Sequence, residues 1–262
     1  MAVDIEGFTR TPFTHNGETR DVYRRGEGPG VVIATEVPGL TPSVIQFAER
    51  VAAEGFTVFL PQLFGTPGVP HSFPTALGVI ARACISHEFR VLAANESSPI
   101  TDWLRGLCRH AHESVGGKGV GAIGMCLTGN FALTLMVDPF VVAPILCQPS
   151  LPFAMGKKTR AGMHISDANL AIVKERCAKG TKVLGLRFTH DFMCPPERFE
   201  SLRQNLGDAF EGIEIDSGPG NPWGIKRIAH SVVTNDLVDK EGHPTKQALD
   251  RVLGFLREKL RD

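Results

Sequence analysis

The feature that most constrains this chain is an alternation of short runs lacking a polar face with longer stretches of helical periodicity. Val31-Val32-Ile33-Ala34 follows Gly28-Pro29-Gly30 and is apolar at every position. A strand apolar on both faces must be covered on both, which is the condition of strands in a parallel sheet flanked by helices. Thr41-Pro42-Ser43 then predicts a helix start, with Thr41 as N-cap and Pro42 at the first helical position. Val44, Phe47, Ala48 and Val51 share one face of that helix, and Gly55 can end it. Phe56 to Leu60 reads as the next strand, running into Pro61.

The same rhythm continues. Leu104, Leu107, Cys108 and Ala111 mark a helix, Val120 to Gly124 a strand, and a further helix is expected from about Leu127. Strands are predicted within 141–146, over 183–188 and over 213–215, with helices from Pro195 to Leu206 and from Pro244. Near the N-terminus, Asn16-Gly17 lies between two segments of strand character and predicts a β-hairpin, because both central turn residues need positive φ. Residues 61–99 read as mixed loop and short helix, and 148–180 as an insertion over the site. The expectation is an α/β fold of one domain, residues 1–262, with a mostly parallel central sheet, helices on both faces and an N-terminal hairpin.

Composition removes several function classes. Lysine plus arginine and aspartate plus glutamate both number 28, so the basic excess of a nucleic-acid binder is missing. The first residues, MAVDIEG, have neither a basic nor an apolar leader segment, and no apolar run approaches a membrane span. No nucleic acid and no membrane are expected as partners, and a cytoplasmic location is. Cysteines at 84, 108, 126, 147, 177 and 194 form no CxxC pair, and a chain of 262 residues does not depend on disulfides. The question they raise is whether one thiol is reactive.

Gly121-Ala122-Ile123-Gly124-Met125-Cys126-Leu127-Thr128-Gly129 places Cys126 where a buried strand meets a helix. A sharp strand-to-helix turn lifts such a side chain above the sheet edge, and small neighbours let the backbone turn. The helix start favours a thiolate and a developing oxyanion. Gly124 is the small residue two before the thiol, whereas Thr128 stands two after it, where glycine is usual. A buried structural thiol is the plain alternative. Asp191, in Thr189-His190-Asp191, follows the strand ending at Phe188, and His230 follows the last strand. Taken singly, a turn aspartate and a packed loop histidine are the commoner readings. Nucleophile, acid and base in that order at three strand ends point to a triad.

On these residues the chain resembles the dienelactone hydrolase (carboxymethylenebutenolidase) family of the α/β-hydrolase fold. The resemblance also rests on Ala34-Thr35-Glu36-Val37-Pro38-Gly39-Leu40 and on Pro61-Gln62-Leu63-Phe64. It implies a cysteine-dependent hydrolase of small-molecule lactones or esters that works through a covalent thioester, with neither metal nor organic cofactor. It implies that Glu36 contacts the thiol and helps to switch it on, and that the N–H groups of Val37 and Leu127 form the oxyanion hole. It implies substrate-carboxylate binding by arginines, with Arg90 as a candidate. A second arginine belongs four residues after the histidine, where this chain has Thr234. Lys226 or Arg227 could supply that charge. The resemblance implies no oligomeric state.

Two motifs are set aside. Gly119 to Gly124 fits GxGxxG, but the apolar strand residues lie among the glycines, and Asp138 precedes the next strand instead of ending it. His110 and His112 diverge if they lie on a helix, so a solvated face is expected before a metal site. The rival function is a catalytically silent protein of the same fold that binds a small carboxylate or a partner.

Overall fold

The computed structural model describes residues 3–70, 72, 99–150 and 156–261; Cys84 and Arg90 lie outside them. Asn16 and Gly17 adopt φ of 50° and 80°, the paired left-handed conformations of a tight hairpin turn. That turn joins β1 (Thr9–His15) to β2 (Glu18–Arg25), with Thr14 opposite Thr19 and His15 opposite Glu18. The following strands are β3 (Gly30–Ala34), β4 (Thr57–Pro61), β5 (Val120–Met125), β6 (Val141–Cys147), β7 (Val183–Phe188) and β8 (Phe210–Ile215). They form one sheet in the order β1-β2-β4-β3-β5-β6-β7-β8. The hairpin is antiparallel to β4, and every pairing from β4 to β8 is parallel.

Each face has its own apolar layer. On one, Val44, Phe47 and Val51 of α1 (Pro42–Ala53) and Leu249, Val252 and Leu256 of α7 (Pro244–Leu260) pack on Ile33, Ile123 and Ile145. The other is covered by α2 (Pro99–Val115), α3 (Phe131–Leu135), α5 (Asp167–Ala178) and α6 (Pro196–Leu206), through Leu107, Phe131, Val173 and Phe199. Strands buried on both faces explain the unbroken apolar runs. Thr41 caps α1 by accepting from the Val44 N–H at 3.4 Å.

Three segments differ from the sequence expectation. The helix expected from Leu127 is a single 3-10 turn, Cys126–Thr128, followed by the five-residue α3. Gly129 lies so close to the β6–β7 loop that an added Cβ would sit 2.5 Å from Pro149 Cα. β8 begins at Phe210, three residues early, because an edge strand needs no continuous apolar run and this one includes Glu211 and Glu214. Residues 148–180 hold α4 (Lys157–Ala161) and α5, whose buried Val173 packs on the sheet layer as the β6-to-β7 crossover.

The outer strands have distinct chemistry. β1 has Pro12 at its middle, opposite Asp21. In β8, Glu211 is held by Arg251 at 2.6 Å, and Glu214 by Arg187 and Arg203.

Candidate active site

Cys126 follows the last residue of β5 and has φ of 56°, a left-handed backbone that an L-residue adopts only where its surroundings enforce it. Gly124 shows the crowding: a Cβ there would lie 2.2 Å from the Thr128 carbonyl oxygen. Thr128, the mismatch to the usual elbow pattern, turns out to be its tether. Its Oγ1 accepts from the Met125 N–H at 2.9 Å and lies 2.7 Å from the Ala34 carbonyl oxygen, to which it donates. The elbow is thereby tied to the exit of β3, where Glu36 and Val37 lie.

Asp191 and His230 meet as the sequence order implied. Asp191 Oδ2 lies 2.6 Å from His230 Nδ1, and its Oδ1 accepts from the Met193 N–H at 3.0 Å. The acid is 3% exposed. Two buried arginines hold its loop by main-chain carbonyls: Arg187 donates to Thr189 and Cys194, and Arg198 to Met193 and Pro149. Asp236 anchors the histidine loop by accepting from the His230 and Ser231 N–H groups at 2.8 and 2.9 Å. His230 Nε2 is buried and makes no hydrogen bond among the described residues. Burial works against a charged ring, but its interactions with Cys126 and Asp191 outweigh it and raise His230 well above the usual histidine range. Burial raises the thiols of Cys108, Cys147, Cys177 and Cys194.

Glu36 is 1% exposed and fully engaged. It accepts from Ser231 Oγ at 2.7 Å, Thr234 Oγ1 at 2.5 Å and Gln148 Nε2 at 3.2 Å. None of these bonds goes to Cys126. Thr234, standing where the resemblance calls for arginine, helps to hold the carboxylate through a neutral donor. Val37 is buried at the β3 exit, and Leu127 lies in the elbow turn, whose opening N–H groups have no partner within it. Lys226 and Arg227 are exposed in the loop before His230. Arg90 is outside the described residues.

Sequence reasoning missed Thr128, Gln148, Ser231 and Asp236. The last two lie within six residues of His230, which is the one local signal they had. Of the motifs set aside, the histidine pair departs from the solvated face expected: His110 is exposed, but His112 is half-buried. Gly121 and Gly124 lie inside β5, and the histidines diverge, His110 stacking on Phe13 and His112 on Phe140. Among the described residues no group of three His, Cys, Asp or Glu side chains converges as metal ligands would. Among the same residues, no helix is long and apolar enough to cross a membrane.

A sheet in this order, with a strained elbow residue at the end of β5 and an Asp–His pair beyond β7 and β8, defines an α/β hydrolase. The comparisons narrow the class. The sequence pattern of the Dienelactone hydrolase family matches residues 21–221, and the chain belongs to that family. A Saccharomyces cerevisiae protein provisionally named a carboxymethylenebutenolidase is 24% identical over 186 residues, spanning 71% of this chain and 66% of the yeast protein, just under two thirds. Among solved structures, the α/β hydrolase GrgF from Penicillium sp. sh18 superposes with a TM-score of 0.62 at 15% identity, covering 97% of this chain and 99% of its own. The dienelactone hydrolase from Anabaena variabilis ATCC 29413 does so with a TM-score of 0.59 at 13% identity, covering 97% and 98%. At these identities the structures speak for the fold.

Proposed function

We propose that the protein hydrolyses lactones or esters through a thioester on Cys126, with His230 as general base and acid and Asp191 orienting its ring. The observation that carries this reading is that Cys126, at φ 56°, acts electrostatically on His230, whose Nδ1 is 2.6 Å from a buried aspartate. The raised His230 favours an imidazolium beside a thiolate, which is the reactive form of a cysteine nucleophile.

In the proposed reaction Cys126 Sγ attacks the carbonyl carbon, and the N–H groups of Val37 and Leu127 receive the oxyanion. Collapse breaks the bond to the alkoxy oxygen, which takes a proton from His230 Nε2; in a lactone this opens the ring. Water then attacks the thioester and gives a proton to His230, and the Cys126 thiolate leaves, with the free acid as product and the thiolate–imidazolium pair restored. Glu36, bonded to Ser231 next to the base, braces the histidine loop against β3 and supplies negative charge near the thiol. The scheme uses no metal and no organic cofactor.

The test is rapid quenching with p-nitrophenyl acetate, followed by intact and peptide mass analysis. An acetyl adduct on Cys126 that forms and decays with turnover is expected, and Cys126→Ala should lose both adduct and turnover. Full turnover by Cys126→Ala would sink the assignment. A silent binding protein would give no burst with any ester or lactone.

A further inference from the structure

Gln148, the first residue beyond β6, is fully buried and has φ of 34°, a left-handed conformation that glutamine rarely takes. Met125 and Cys147 are paired in register, so Cys126 and Gln148 are the next residues outward on adjacent strands. Both leave the sheet through positive φ. The loop beyond Gln148 is sewn to the elbow: Ser150 Oγ donates to the Gln148 carbonyl at 2.7 Å, and the Ser150 N–H to the Cys126 carbonyl at 2.9 Å.

The amide reaches Glu36, which follows β3. β5 lies between β3 and β6, so this hydrogen bond spans the end of the strand that delivers Cys126. Glu36 also decides which end of the amide faces it. A carboxylate accepts only, so Nε2 must point to it and Oε1 away. That Oε1 is buried and has no hydrogen-bond partner among the described residues. A buried acceptor with no donor is costly, and this one belongs to the residue next to Cys126 on the adjacent strand, where a donor on a ligand would relieve it.

We propose that Gln148 is a specificity-determining residue whose Oε1 accepts a hydrogen bond from an O–H on the acyl part of the substrate, making hydroxyacyl esters and lactones the preferred class. The inference rests on the Cys126 hydrolase reading above. The leaving oxygen must lie at His230 Nε2, which protonates it, so the acyl portion is left beside the elbow, where Gln148 is. A site built to pair a substrate hydroxyl discriminates strongly against the analogue without it.

The experiment compares kcat/KM for p-nitrophenyl butyrate and p-nitrophenyl 3-hydroxybutyrate in the wild type and in Gln148→Met, which keeps an unbranched side chain without the amide. Intrinsic reactivity cancels when the ratio of the two substrates is compared between the two proteins. The hydroxyl preference should fall by at least about tenfold in the variant. A purely structural role would slow both substrates alike and leave the ratio unchanged, which would overturn the proposal. Should Gln148→Met not fold, competitive inhibition of the wild type by butanamide and 3-hydroxybutanamide gives a second reading. Tighter inhibition by the hydroxylated amide is expected, and equal inhibition overturns the proposal. Failure of the underlying hydrolase reading looks different: Cys126→Ala would then turn over both esters as fast as the wild type.

Discussion

Replacing Thr128 by valine keeps its shape and removes one oxygen. Thr128 is fully buried, and that oxygen serves both the Met125 N–H at 2.9 Å and the Ala34 carbonyl at 2.7 Å. Valine cannot replace either bond, and both main-chain groups lie where water does not readily follow. Leaving two buried groups unpaired should cost about 2–4 kcal/mol. Thr128→Ser keeps the hydroxyl and loses one methyl group, at about 1 kcal/mol. The valine variant should therefore be the less stable of the two, although valine is the more hydrophobic residue. For a urea slope near 3 kcal/mol/M, the Thr128→Val midpoint should fall by about 1 M. Because the lost bond ties the elbow to the strand exit carrying Glu36 and Val37, ester turnover by Thr128→Val should fall while Thr128→Ser retains most of it. Urea melts followed by circular dichroism, with p-nitrophenyl acetate assays on the same samples, measure both. A valine variant as stable as the serine variant would refute the tether.

Iodoacetamide at one equivalent should label Cys126 and abolish turnover while leaving Cys108, Cys147 and Cys194 untouched, since burial raises those thiols; peptide mapping decides, and activity surviving full labelling of Cys126 counts against it. His230 has its folded pKa raised above its unfolded value, near 6.5, so its contribution to stability is fully present below about 6.5 and is lost as pH rises through the folded pKa. Removing the Cys126 charge should lower that folded pKa, and an NMR titration of the ring in Cys126→Ala that matches the wild type would contradict the coupling. Glu36→Gln should fold but acylate more slowly, because the amide has only one acceptor oxygen for three donors and lacks the charge; single-turnover rates equal to wild type would reduce Glu36 to a brace. Removing the exposed charges in Lys226→Ala/Arg227→Ala should lower kcat/KM for a carboxylate-bearing lactone more than for a neutral one, and equal losses would place both cations outside the substrate path.

What could be read from the sequence was whatever local chemistry decides. Asn16-Gly17 can hardly be anything but a tight turn, Thr41-Pro42 begins a helix in most contexts, and buried strands announce themselves by lacking a polar face. The order of Cys126, Asp191 and His230 was legible because strand ends were. The supporting shell was not. Thr128 looked like a defect because its hydroxyl bonds a carbonyl 94 positions away in sequence. Gln148 belongs to no motif; its importance comes from the register of β6 against β5 and from a carboxylate beyond the intervening strand. The short α3 reflects the close approach of Gly129 to Pro149, a tertiary fact with no periodic signature. β8 was underestimated because an edge strand tolerates the charges that central strands exclude.

The two outer strands have a consequence for how copies of this chain meet. A parallel sheet invites extension at its rims, where unpaired main-chain groups can template another strand. Here one rim is interrupted by Pro12, which has no N–H to offer. On the other, Glu211 and Glu214 are held by Arg251, Arg187 and Arg203, so an incoming ladder would meet paired charges. Both rims of the described sheet thus discourage an added strand, which makes edge-to-edge pairing an unfavourable way for folded copies to meet.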